Sequence, residues 1–235
     1  MEELNQLAKV RRLDITKASV HAFFHLSDLY QILSSGAALG RGCGPLWIGK
    51  PGPRPSGGRV AIPGEWTTAN LLFQLAVEGG FEPVYMRFDE VMPAISAGDV
   101  ESGVIIHESR FTYTEQGLTS FLDLGAWWEQ TSGLPIPLGG ILVRRDLPEE
   151  TKKVIQGLIK DSICYADTHP GEASPYITQH AQELEGDVID QHIGLYVNDF
   201  SKDLGEEGRQ AILALYEQAI KKGILTSSAE LALFV

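Results

Sequence analysis

The spacing of apolar residues changes repeatedly along the chain. "EELNQLAKV" places Leu4, Leu7 and Ala8 at helical intervals, and "LDITKAS" reads as a short strand that runs into a polar turn. "HAFFHLSDLYQILSSG" predicts a second helix, stopped by Gly36. A Gly-rich loop, "GAALGRGCGPL", leads to a strand, "LWIG", and "KPGPRPSGG" marks a turn or linker. Strands and helices then alternate. Strands are predicted at "RVAIPG", "EPVYMRFD", "GVIIH", the start of "FLDLGAWWEQTSG", and "GGILVRRD". Helices are predicted at "TTANLLFQLAVEGG", with Thr67 or Thr68 as N-cap and Gly79–Gly80 as the stop, and at "DEVMPAISAGD", opened by Asp89. From Pro148 the pattern is helical: "PEETKKVIQGLIKDSICYADTH", then "GEASPYITQHAQEL", "DVIDQHIGLYVNDF" and "GEEGRQAILALYEQAIKKG".

This alternation predicts an α/β fold with a largely parallel sheet. Residues 59–163 look self-contained, and the helical tail is placed to return to the N-terminal block. The expected organisation is therefore two lobes, 1–58 with 164–235 and 59–163, with a ligand cleft between them.

Composition narrows the function. A chain of 235 residues with 43% hydrophobic and 21% charged content buries roughly 70–75% of its unfolded surface. A net charge of −12 disfavours a nucleic-acid partner, because phosphate binding needs a basic face. No apolar run approaches a membrane span, and "MEELNQLAKVRR" has no apolar signal-peptide core. Cys43 and Cys164 form no CxxC pair and read as reduced thiols of a cytoplasmic protein.

In open parallel sheets, ligands bind beyond the carboxyl ends of strands. Three strand exits carry suitable groups for an anionic, oxygen-rich small molecule. Thr16, Lys17, Ala18 and Ser19 follow the first, Pro63, Gly64, Thr67 and Thr68 follow the "VAI" strand, and His107, Glu108, Ser109 and Arg110 follow "VII". The Thr67–Thr68 turn has two readings, a helix cap or an anion seat built on free first-turn N–H groups. His107 likewise reads as a structural histidine bonded to a carbonyl or as a general base held by a buried strand. Glu108 and Arg110 read as a surface pair, opposite His107 if the strand continues. "GRGCGPL" lacks the ending of a phosphate loop, so Gly42 and Gly44 serve unusual backbone angles or a close approach. Cys43 has no nearby base in sequence, and Trp127 and Trp128 read as core and lobe packing. The remaining histidines, His21 and His25 among them, read as surface or core fillers, without zinc-ligand context.

"GAALGRGCGPL", "AIPGEWTTANLLF", "GVIIHESRFTY", "DLGAWWEQTSGLPIPLGGILVRRDL" and "YVNDFSKDLGEEG" resemble the 1,4-dihydroxy-6-naphthoate synthase family of the futalosine route to menaquinone, over essentially the whole chain. The resemblance implies a periplasmic-binding-protein-like fold used in the cytoplasm as a lyase. It implies conversion of cyclic dehypoxanthinylfutalosine to 1,4-dihydroxy-6-naphthoate, with no metal and no organic cofactor. It makes His107 the proton acceptor and puts substrate contacts on Lys17, Ala18, Ser19, Thr68 and Ala69, with Thr67 adjacent. Arg110 is added as a candidate contact. Family members begin with a further stretch that carries the first strand and a Pro-Asn-Asp-Thr type loop, and "MEELNQLAK" starts past it. A chain without that stretch is expected to be marginally stable or inactive alone. The rival readings are a solute-binding protein of the same fold, the sister chorismate dehydratase, and an inactive truncated form. Oligomeric state is not legible.

Overall fold

The computed structural model describes residues 1–107, 109–180, 191, 193–226 and 233–235. Two sheets organise them. The first contains β1 (Ile15–Ser19), β2 (Tyr30–Ile32), β3 (Ala38–Gly40) and β9 (Ile136–Arg144). β9 is its spine. It pairs antiparallel with β1 along one edge, from Ile15 opposite Val143 to Ser19 opposite Gly139. Along the other edge it takes β2, with Ile32 opposite Leu142, and then β3, with Ala38 opposite Gly139.

The second sheet contains β4 (Leu46–Gly49), β5 (Gly57–Ile62), β6 (Gly80–Tyr85), β7 (Ser102–Ile105) and β8 (Thr119–Asp123), in the order β6-β5-β7-β4-β8. Helix α1 (Glu2–Lys9) precedes β1, and α2 (Val20–Leu26), α3 (Thr68–Ala76), α4 (Val91–Ala97), the one-turn α5 (Ser109–Thr112) and α6 (Leu124–Ser132) lie between strands. After β9 come α7 (Glu149–Thr168), α8 (Pro170–His180), α9 (Asp199–Lys202) and α10 (Gly205–Lys221).

The sheets depart from the sequence reading in three ways. Among the named strands only β5 with β6 and β5 with β7 are parallel, and every other described strand pairing is antiparallel. The reason is that β4 and β9 are not entered through βαβ crossovers, the connection that enforces parallel pairing. Second, the predicted helix over 21–36 ends at Leu26, and Tyr30–Ile32 is a strand. Ile32 is held between Leu142 of β9 and a bridge to Phe234, and the Tyr30 hydroxyl donates to the Leu13 carbonyl at 2.7 Å. Third, the sheets divide the chain differently from the blocks 1–58 and 59–163, since β4 belongs to the second sheet and β9 to the first. Residues 187–190 and 192 of "DVIDQHIGLYVNDF", residues 181–184 of "GEASPYITQHAQEL" and Glu108 lie outside the described residues.

The chain therefore crosses between sheets twice, through 41–45 and through α6. The two crossings touch. Gly44 lies so close to Gly125 that a Cβ on Gly44 would stand 2.5 Å from the Gly125 amide nitrogen. The Leu124 N–H donates to the Pro45 carbonyl at 3.0 Å, and the Arg110 guanidinium donates to the Gly44 carbonyl at 2.6 Å. Gly42 sits at φ 69°. Both uses expected of "GRGCGPL", an unusual backbone angle and a close approach, are thus present. Gly44→Ala must push the crossings apart, and destabilisation by roughly 1–3 kcal/mol or more is expected from such overpacking. A urea midpoint equal to that of the wild type would show that the contact yields freely.

Aromatic packing consolidates the second sheet against α3. Trp47, fully buried in β4, meets Phe73, Phe81 and Phe121 edge-on at ring distances of 5.4 Å. Trp128 is buried as expected, and its indole N–H donates to the Pro135 carbonyl at 3.0 Å.

Candidate active site

A cavity of about 90 Å³ lies where the two sheets face one another. Lys17, Ser19, Thr67, Thr68, Ala69 and His107 all line it. β1 itself, where the sequence reading expected a strand exit, and the exits of β5 and β7 deliver these groups to one place.

β1 supplies two of them through its pleat. Lys17 and Ser19 point one way, while Ala18 between them is fully buried, with Gly140 as its register partner. Lys17 is open to the cleft water, yet the surrounding protein strips its ammonium of hydration and lowers its pKa below the ordinary lysine value. Among the described residues no opposite charge compensates this. An anion entering the cleft would supply that charge. Ser19 is fixed by the buried Asn5, whose side-chain oxygen accepts from the Ser19 N–H at 3.1 Å.

The α3 turn is built by its threonines. The Thr67 hydroxyl accepts from the Asn70 N–H at 3.3 Å and donates to the Gly64 carbonyl at 2.8 Å, a complete N-cap. The Thr68 hydroxyl donates to the Leu138 carbonyl at 2.7 Å and accepts from the His21 N–H at 3.3 Å, bolting the turn to β9 and α2. Both hydroxyls are thus engaged internally. The backbone N–H groups of Thr68 and Ala69 make no hydrogen bond among the described residues. Capping and anion reception are therefore compatible: side chains cap, and two unbonded amides at the positive end of the helix belong to residues that line the cavity.

His107 lies two residues beyond the end of the fully buried strand β7. Its φ is 58°, in the left-handed region, and its carbonyl accepts from the Arg110 N–H at 3.2 Å as α5 begins. β7 therefore ends in a sharp turn rather than continuing, and the imidazole swings into the cavity. That conformation costs on the order of 1 kcal/mol even for a tolerant residue type such as histidine. Phe88 meets the ring edge-on at 5.4 Å and Tyr196 lies at 6.3 Å.

Arg110 does not line the cavity. Its guanidinium bonds the Gly44 carbonyl and pairs with Asp123 at 2.7 Å, while Asp123 caps α6 through the Ala126 N–H. It ties the crossings together.

The residue reading missed Tyr196. It reaches the cavity because the following segment is pinned to β3. The Asn198 amide donates to the Leu39 carbonyl at 2.9 Å, and the Ser201 hydroxyl donates to the Ala37 carbonyl at 2.8 Å. Asn198 and Ser201 both sit in the quoted "YVNDFS" motif, but nothing local in it announces a cavity. Cys43 also lines the cavity. Burial first, and then nearby Glu129, push its thiol up to about 12, which keeps it protonated and poorly nucleophilic. Among the described residues, no cluster of His, Cys, Asp and Glu is placed to hold a metal ion. No described helix is long and apolar enough to cross a membrane.

Two sheets joined by paired crossings, with a cleft that offers a helix N-terminus and a lysine, define a two-lobed small-molecule-binding fold. A Candida albicans protein described as having the generic periplasmic binding protein structural fold matches it with a TM-score of 0.69, at 12% identity, over 97% of this chain and 79% of that one. The chain belongs to the menaquinone biosynthesis family, whose model matches residues 1–221. A 1,4-dihydroxy-6-naphthoate synthase of Thermus thermophilus is 47% identical over 97% of this chain and 84% of its own length. A crystal structure of an Archaeoglobus fulgidus protein, 39% identical, superposes with a TM-score of 0.91 over 95% of this chain and 84% of that chain.

Proposed function

We propose that the chain is a 1,4-dihydroxy-6-naphthoate synthase, a carbon–carbon lyase acting on cyclic dehypoxanthinylfutalosine in the cytoplasm, with His107 as its general base. One observation carries the mechanistic part: His107 enters the same cavity as Lys17 and the open amides of Thr68 and Ala69. The turn and Lys17 hold the substrate's carboxylate or hydroxyl oxygens, and Ser19 adds a hydroxyl. His107 then removes a proton from the held substrate. Charge develops as the carbon framework fragments, and formation of an aromatic ring drives release of the sugar-derived remainder. Closure of the lobes excludes water and strengthens each of these electrostatic contacts. Neither a metal nor an organic cofactor enters this scheme.

Lys17→Met tests the anion seat. Loss of one charge-assisted contact, at about 1.5–3 kcal/mol, is expected to raise KM roughly 10–100-fold. Steady-state kinetics on the cyclic substrate measure it. An unchanged KM would remove Lys17 from the site.

A further inference from the structure

Behind the α3 turn, outside the cavity, lies a group the mechanism does not use. His21 is buried at the start of α2 and touches the turn twice. Its backbone N–H donates to the Thr68 hydroxyl, and its Nδ1 lies 3.1 Å from the Thr67 carbonyl. A carbonyl only accepts, so Nδ1 carries the proton. In a neutral imidazole Nε2 is then an acceptor. His25 Nε2 lies 3.3 Å away and must be the donor. The far side of the pair is also fixed. The His25 ring stacks on Trp66 at 4.9 Å, and the Lys9 ammonium covers the Trp66 ring at 4.5 Å. The charged groups facing the pair are Lys9 from α1 and Glu65 from the loop before α3.

We infer that His21 is a positioning residue for the substrate's anion seat: its neutral Nδ1–H tautomer, set by the hydrogen bond from His25, holds the Thr67 carbonyl and so aims the Thr68 and Ala69 amides into the cavity. The pair accommodates one such arrangement only. A proton added to His21 Nε2 would face the His25 N–H and break the contact. The effect belongs to binding, because His21 touches neither the cavity nor His107. The inference rests on the turn serving as the seat of the substrate.

Three variants test it. The side-chain nitrogen of Asn overlays imidazole Nδ1, whereas that of Gln overlays Nε2. His21→Leu and His21→Gln are expected to raise KM about five- to tenfold through loss of one directed hydrogen bond, with kcat within about twofold of wild type. His21→Asn, which can still donate to the Thr67 carbonyl, is expected to recover most of that loss. If His21→Leu does not fold, the Asn and Gln pair carries the comparison. Equal KM values for Asn and Gln, or a Leu variant with wild-type KM, would overturn the assignment in favour of simple packing. Wild-type turnover is the control: its absence would count against the proposed reaction, not against the role of His21.

Discussion

His107→Ala should lower kcat by roughly 10²–10⁴-fold, the usual contribution of a positioned general base, while leaving the fold and substrate affinity nearly intact. The separation follows from the geometry. The anion contacts come from β1 and the α3 turn, not from the β7 exit, so substrate still binds when the imidazole is gone. The fold should hold, because the ring is only half-buried, meeting Phe88 edge-on and Tyr196 at a tilt. His107 also sits at positive φ, so removing its side chain leaves the backbone requirement in place. His107→Gly provides the check: it relieves that backbone cost, so a variant as stable as wild type but equally slow separates chemistry from folding. Turnover near that of wild type in a folded His107→Ala protein would end the base assignment.

The second large effect is on stability in acid. Burial first, and then the neighbouring His25, lower the pKa of His21 to about 4 from its ordinary 6.5. Below pH 6.5 the unfolded chain takes up a proton on His21 that the folded chain refuses until about pH 4. Stability therefore falls as pH drops through this window, and His21 has no influence on it above 6.5. At about 1.4 kcal/mol per pH unit, the full window amounts to roughly 3 kcal/mol. Carboxylates also contribute below pH 5, so the measurement is a difference. Chemical denaturation of wild type and His21→Asn at pH 7.5 and pH 4.5 should show the wild type losing more. Equal losses in the two proteins would mean that His21 titrates normally.

The local elements were legible and the long-range contacts were not. Thr67 as the cap of α3 follows from a hydroxyl placed just before an apolar helical run, and the structure forms that cap. The strand exit carrying His107 was visible because a short apolar run ends there in ionisable residues, whereas Lys17, expected just past the first strand, lies inside β1. The spine position of β9 was hidden, since "GGILVRRD" looks the same whether its neighbours are parallel or antiparallel. The 21–36 segment misled because its apolar spacing fits a helix, while pairing of Ile32 with Leu142 decides for a strand. Gly44 against Gly125 required two distant glycines to meet. His21 looked like filler because the groups it orders, Thr67 and Thr68, lie far along the chain. Arg110 was drawn toward the site by its neighbour His107, but the turn after β7 sends it to Asp123 instead.

The most direct test is a product assay on the purified chain. Incubated with cyclic dehypoxanthinylfutalosine, it should release 1,4-dihydroxy-6-naphthoate, identified by mass and ultraviolet absorbance, at a rate proportional to protein concentration. A folded chain that binds this compound and returns it intact would contradict the account and make the protein a binder on the same fold.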